Sequence, residues 1–297
     1  MPDPVSIQVQ TVVFRNDPGD VERLVSATGA EARYARKRGS VGRVEVQIGD
    51  CSPVPVLDEG HLARLSQVPG IDRVGYDFFA ENLFTAAGHN RLAAGATTDH
   101  LLVQNPDTNG APQLLDVLAG AIADPTVGMA EARQIPLEHP KAYDPFTGDT
   151  SWASTACVLI DRAAFVELEG FDARHFPLYC DDVDFSWRLR ANGLRVVHVP
   201  RAVVFHDKRV DKEGRMAPTA LETYSGALAR LMLCDRYGRA DIKDETLRWI
   251  DHHGSDDHRK AAAEYRALAA RGRVPEAIAD AFGVAEFTDG EYATHRW

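Results

Sequence analysis

The chain has 297 residues, 44% of them hydrophobic, and a formal net charge of −11, enough apolar content for one large core or a core with an appendage. The acidic balance argues against nucleic acid as the main partner and against a generally polybasic membrane-binding surface. Cys51, Cys157, Cys180 and Cys234 form no CxxC pair, no secretory leader is visible and no apolar run approaches the ~20 residues of a bilayer span, so a reducing, cytoplasmic setting is expected.

Strands are expected near residues 6–14, 43–48, 71–76, 100–105 and 127–131, alternating with helical stretches near 19–37, 59–66, 86–95 and 111–123. This alternation predicts a mostly parallel sheet flanked by helices. Pro125, Pro136, Pro140 and Pro145 punctuate a looser middle. A strand near 155–160 leads into a short helix from Asp161 to Glu167, and an acidic helix begins at Asp181 and ends at Asn192-Gly193. Further strands are read at 195–199 and 201–205. From about Thr219 the chain is helical, with Leu221, Tyr224, Leu228, Leu231 and Met232 at helical spacing, and packing on the main domain is the favoured reading. The expected division is a catalytic domain over 1–218, with halves of about 1–108 and 109–218, and a helical extension over 219–297.

Three features carry chemistry. The apolar run Leu101-Leu102-Val103-Gln104 stops at Asn105-Pro106-Asp107, which puts Asp107 at the carboxyl end of a central strand, where open α/β sheets bind ligands. A carboxylate there can hold a divalent cation, and the cation a diphosphate; Asn-Pro-Asp also simply opens turns. Asp181-Asp182-Val183-Asp184 crowds three carboxylates into the first turn of a helix. Helix capping accounts for one of them, whereas crowding raises the pKa of a neighbour toward that of a useful base. His206 follows the apolar run Ala202-Val203-Val204-Phe205 and is a candidate metal ligand.

These pieces, in this order, resemble the family 2 glycosyltransferases of GT-A fold, in the branch that holds rhamnosyltransferases and galactofuranosyltransferases. The resemblance runs from about Val5 to about Arg236. Val5–Phe14 matches the first strand, Val44–Ser52 the second with its terminal turn, and Glu81–Asn90 the turn that follows. Asn105-Pro106-Asp107-Thr108 matches the family's DXD motif, Asp181-Asp182-Val183-Asp184 the acidic motif supplying the base, and His206 the histidine that completes the metal shell. The resemblance implies an inverting, metal-dependent transfer from a nucleoside-diphosphate sugar to an acceptor hydroxyl on a glycan, lipid-linked or small molecule. It implies Mn²⁺ or Mg²⁺ on Asp107 and His206, with the imidazole favouring Mn²⁺. Asp182 is then the base, with Asp181 second. Asp50, Asn82, His89, Asn90, Asn105 and Asp107 are expected at the donor, and Trp152 and Asp184 at the acceptor; Trp152 reads equally as a core residue, and Asp184 alternatively as the partner of a buried backbone group or of Arg188.

The chain also departs from the family. Gly49 stands where an Asp contacts the nucleotide base, so Asp50 is expected to take over. Thr85 and Ala86 replace glycines, and Trp152-Ala153-Ser154-Thr155-Ala156 lacks the usual Gly. Lys208, Arg209, Lys212 and Arg215 after His206 are candidates to clamp a diphosphate or are a plain solvated loop. His252, His253 and His258 read as a solvated helix end. Peripheral contact with the inner membrane face stays open. Two other functions stay open as well: a nucleotidyltransferase making a sugar nucleotide, and a non-catalytic nucleotide-sugar-binding module.

Overall fold

The computed structural model describes residues 3–139, 141–208, 218–278, 283–288 and 291–293. The first strand, β1 (Val5–Val13), is followed by α1 (Pro18–Arg38). Asp17 caps α1 by accepting the Gly19 N–H, Pro18 sits at its start, and Gly39 ends it at φ 80°, a left-handed conformation that favours glycine. Then come β2 (Val41–Asp50), α2 (Glu59–Leu65), β3 (Arg73–Phe78), α3 (Phe84–Ala93), β4 (His100–Gln104), β5 (Thr108–Gly110) and α4 (Leu114–Ile122). The second half runs β6 (Val127–Ile135), β7 (Cys157–Asp161), α5 (Arg162–Glu167), α6 (Asp181–Ala191) and β8 (Arg195–His206). It closes with α7 (Ala220–Arg236), α8 (Ala240–His253) and α9 (Asp256–Ala270).

The strands form one sheet in the order β3-β2-β1-β4-β7-β6-β8-β5. β1 pairs in parallel with β2 and β4, β2 with β3, and β6 with β8. β7 is antiparallel to β4 and β6, and β5 antiparallel to β8. The sheet is therefore mixed, mostly parallel, and the short β5 is an addition to the expected strands. The two runs expected at 195–199 and 201–205 are one strand. Its register slips against β6 between Ala132 and Arg133, opposite Val199 and Val203, and this irregularity accommodates Pro200.

Strand alternation sorts the core into two layers. Ile7, Val9, Val44, Val46, Ile48, Leu102 and Leu159 face α1, α2 and α4. Leu101, Val103, Met129, Val158 and Ile160 face α3, α5 and α6 through Ala86, Phe165 and Phe185. The opposite side of α6 offers Val183 and Trp187 to Leu231, Met232, Ile250 and Tyr265 of α7–α9. The helical extension thus shares a core with the acidic helix and fixes its angle. Of the spaced α7 residues, Leu231 and Met232 are buried and Leu221 is 53% exposed. Among the described residues no helix is long and apolar enough to cross a membrane.

Candidate active site

A cleft of about 530 Å³ opens at the carboxyl end of β4. Asn105 and Asp107 enter it from the β4–β5 turn, Ser154–Ala156 from the approach to β7, and Tyr179–Asp182 from the start of α6. His206, Asp207 and Lys208 enter from the end of β8, Thr219 and Glu222 from the start of α7, and Tyr292 from the C-terminal segment.

β5 explains how Asp107 and His206 meet. Thr108 pairs with His206 across the β5–β8 ladder, and the Asp207 N–H donates to the Asp107 carbonyl at 2.9 Å. His206 Nε2 then lies 3.4 Å from Asp107 Oδ1, with the carboxylate side chain 41% exposed and the imidazole 9%. The other ring nitrogen, Nδ1, lies 2.8 Å from Oε1 of Gln134 on β6. In the tautomer that donates Nδ1–H to this amide oxygen, Nε2 presents a lone pair to the carboxylate. Two acceptors then face each other with no proton between them, an arrangement that a cation completes. An imidazole fixed by a carbonyl at its far nitrogen is also how metal-binding histidines are held. Among the described residues no three His, Cys, Asp or Glu side chains cluster as a closed metal cage. Asp107 and His206 are instead two side chains that could hold a hard divalent cation, the donor set of an open site and not of a cage.

None of the three carboxylates holds the cap position of α6. Cys180 occupies the cap position of α6 and makes no side-chain cap bond. Tyr179 and Cys180 both have positive φ, 70° and 58°, a conformation costing about 1–3 kcal/mol per non-glycine residue and concentrated at functional sites. This kink delivers Asp181 and Asp182 to the cleft together. Asp181 is 4% exposed and its Oδ2 has no hydrogen-bond partner. Burial and the neighbouring Asp182 charge push its carboxyl well above the usual range. Asp182 Oδ1 accepts the Val183 N–H at 2.9 Å, and Oδ2 faces the Thr155 N–H at 3.4 Å. Burial lifts the Asp182 carboxyl to about 6, against the lowering influence of Lys141 and these amides. Burial raises both carboxyls, Asp181 further through the Asp182 charge, so the coupled pair favours a single negative charge.

The small-residue stretch after Trp152 is a tethered platform. The Ala153 N–H donates to Ser186 Oγ at 3.1 Å and the Ser154 N–H to Glu131 Oε1 at 2.8 Å. The Asn105 N–H donates to the Ala156 carbonyl at 3.0 Å, joining this platform to the DXD-like turn. Trp152 belongs to the cleft wall but is 2% exposed, with Lys141 Nζ 3.8 Å from its ring centroid and Tyr292 packed edge-on. It is a buried wall and not an open stacking surface for a sugar.

Several expected contacts lie elsewhere. Asp50 is fully buried, and its oxygens accept the Ser52 N–H at 2.8 Å, the Val56 N–H at 2.7 Å and the Tyr76 hydroxyl. These bonds hold the β2–α2 loop, so the structure takes Asp50 away from a nucleotide base. Gly49 cannot recover an acidic side chain, because a Cβ there falls 2.8 Å from the Phe79 ring. Asn82 stands at the exposed start of α3 and accepts the Phe84 N–H at 3.1 Å, while Thr85 lines the cleft. His89 points inward at 3% exposure, 3.3 Å from Gln10 Oε1, and burial drops its imidazole to about 3. Asn90 clamps Phe171 through both backbone groups, at 2.7 and 2.9 Å. Asp184 is fully buried behind the cleft, accepting Arg188 Nε at 2.8 Å and the Tyr237 hydroxyl at 3.2 Å. Two residues past Asp182, about 200° around the helix, it is turned away from the cleft. His252 and His253 are exposed at the end of α8, and His258 serves the capping box of α9. Arg209, Lys212 and Arg215 lie outside the described residues.

Gln134, Glu131, Lys141 and Tyr292 were not singled out in the sequence. The first two left a signal, as polar residues inside the apolar run from Val127 to Ile135; Lys141 and Tyr292 left none.

No family model matches the chain. It is 31% identical over 146 residues to an N-acetylglucosaminyl-diphospho-decaprenol L-rhamnosyltransferase of Mycobacterium tuberculosis, covering 37% of this chain and 47% of that protein. It is 28% identical over 165 residues to a pre-mycofactocin glycosyltransferase of the same species, covering 49% of this chain and 34% of the other. The chain therefore spans about half the length, or less, of these curated relatives. In fold it is similar to the mannosyltransferase PcManGT from Pyrobaculum calidifontis in complex with GDP-Man and Mn²⁺. That match has a TM-score of 0.56 at 17% identity, covering 91% of this chain and 77% of the other. GalNAc-T7 with UDP, GalNAc and Mn²⁺ gives 0.62 at 12% identity, covering 94% and 60%. The chain thus has the fold of the GT-A glycosyltransferases, and over part of its length its sequence is similar to bacterial glycosyltransferases.

Proposed function

We propose that the chain transfers a sugar from a nucleoside-diphosphate sugar to an acceptor hydroxyl with inversion at the anomeric carbon, using Asp182 as the base and Asp107 with His206 at the donor diphosphate. The observation that carries this reading is that the Asp107–His206 pair and the Asp181–Asp182 pair line one cleft at the carboxyl end of β4. A divalent cation on Asp107 and His206 would supply a Lewis acid for the negative charge gathering on the departing diphosphate.

The chain's own groups account for the rest. Asp182, ionised above about pH 6, takes the proton of the acceptor hydroxyl as its oxygen attacks the anomeric carbon. Attack from the face opposite the diphosphate breaks the glycosidic bond and inverts the centre. Asp181 keeps its proton and so leaves a single negative charge at the base. Asn105, on the same turn as Asp107, faces the donor side. A relative's name specifies an acceptor carried on a polyprenyl diphosphate, and such an acceptor would bring this chain to a membrane surface.

Asp182→Asn tests the base. With a donor chosen from a panel of nucleotide sugars, single-turnover transfer should fall by about 10² or more, with nucleotide binding and melting temperature unchanged. A near-wild-type rate would refute the assignment.

A further inference from the structure

We infer that Lys141 is a positioning residue for the base: its buried ammonium ties the platform beside Asp182 in place and sets the charge around that carboxyl. The inference rests on Asp182 being the base.

The Lys141 side chain is 4% exposed. Its Nζ donates to both oxygens of Glu131 at 2.8 Å and to the Trp152 carbonyl at 3.0 Å, which uses the three hydrogens of an ammonium. The same nitrogen stands 3.8 Å from the Trp152 ring centroid, a cation–π contact strengthened by burial. Glu131 Oε1 also takes the Ser154 N–H, and the next amide along the chain, that of Thr155, faces Asp182. His198 closes the far side, with Nδ1 3.1 Å from Glu131 Oε2 and Nε2 3.2 Å from Glu138. Lys141, Glu131, the backbone from Trp152 to Thr155 and Asp182 thus form one connected chain of contacts. A buried ion pair adds little net stability over apolar packing, so the consequence of this one lies in its field and in the platform it fixes.

The groups around Asp182 give that field its sign. Asp181 lies beside it on α6, Glu131 faces it from β6, and Tyr179, Cys180 and Tyr292 crowd it, with Glu222 of α7 reaching Tyr179. Burial raises the carboxyl most. Lys141 opposes this more than any other group, and Glu131 raises it by less than Lys141 lowers it. Loss of the ammonium therefore moves the carboxyl upward from about 6 and depletes the ionised base at neutral pH.

The direct test is a carboxyl ¹³C NMR titration of the full chain labelled at aspartate, with the Asp182 signal assigned by its absence in Asp182→Asn. In Lys141→Met the Asp182 midpoint should rise by about one pH unit or more, the usual effect of an adjacent opposite charge. Lys141→Arg should restore part of it. Because Lys141→Met leaves Glu131 buried without its partner, the double variant Lys141→Met/Glu131→Gln guards against misfolding, and it too should show a rise. With a donor found by the nucleotide-sugar panel, the acid limb of kcat/KM should move by the same amount while the high-pH plateau persists. An unmoved Asp182 midpoint in folded single and double variants would overturn the inference, as would a rate reduced equally at all pH values. Full turnover by Asp182→Asn would instead defeat the base assignment, leaving the titration to judge Lys141 separately.

Discussion

Gln134→Leu tests how His206 is aimed. Gln134 is 2% exposed, its Oε1 meets His206 Nδ1 at 2.8 Å, and its Nε2 is buried with no protein partner. Leucine fills nearly the same volume. It forfeits one hydrogen bond, worth about 1 kcal/mol, but also removes an unpaired amide donor. Melting temperature should therefore change little. The imidazole, however, loses the group that fixes its tautomer and orientation. Removing such an outer partner weakens metal affinity by about 10–100-fold, or about 1.4–2.7 kcal/mol. Calorimetric titration of UDP and GDP, with Mn²⁺ and with chelator, reads this directly. Metal-dependent nucleotide binding should weaken by that factor, and binding measured in chelator should not move. If Gln134→Leu bound as wild type while His206→Ala lost the metal effect, the tautomer argument would be refuted.

Asp184→Ala should act on stability and not on the chemistry. It strips the buried carboxylate from half-buried Arg188, a loss approaching the about 3–5 kcal/mol of a broken buried pair, and thermal unfolding should show a large drop. Nucleotide affinity measured below the transition should hold. Glu31→Gln addresses pH. Glu31 is buried on α1 with neither oxygen hydrogen-bonded, and burial pushes its carboxyl up to about 8. A carboxyl raised on folding contributes stability that is fully present below its unfolded pKa and lost as pH rises through the folded value. Wild type should therefore lose stability as pH climbs through about 8, and Glu31→Gln should lose less, as melting curves between pH 5 and pH 9 would show.

The order of elements was legible because periodicity and punctuation agreed: Asp17-Pro18 opens α1, Gly39 closes it, and Asn105-Pro106 ends β4. The mostly parallel sheet was legible in the strand–helix alternation, but β7 gives no local sign that it lies antiparallel between β4 and β6, because buried strands of either direction read as the same apolar run. Thr108–Gly110 is too short to show a pattern, yet its pairing with β8 is what brings Asp107 to His206. Cleft-lining residues were legible where a polar group follows an apolar run, as at Asp107 and His206. They were misread where the same chemistry serves the backbone. Asp50 and Asn90 satisfy amides and carbonyls that no sequence pattern reveals, and His89 faces the sheet by helical phase. Lys141 lay beyond reach because its partner Glu131 is ten residues back and Trp152 eleven ahead, across a loop without periodicity.

Asp107→Ala, titrated calorimetrically with nucleoside diphosphates in Mn²⁺ and in chelator beside wild type, bears most directly on the donor site. Wild type is expected to bind tightly only with Mn²⁺, and Asp107→Ala to fall to the chelated level in either buffer with its melting temperature unchanged. Equal wild-type affinity in chelator, or full metal-dependent binding by Asp107→Ala, would contradict the assignment of Asp107 and His206 to the donor diphosphate.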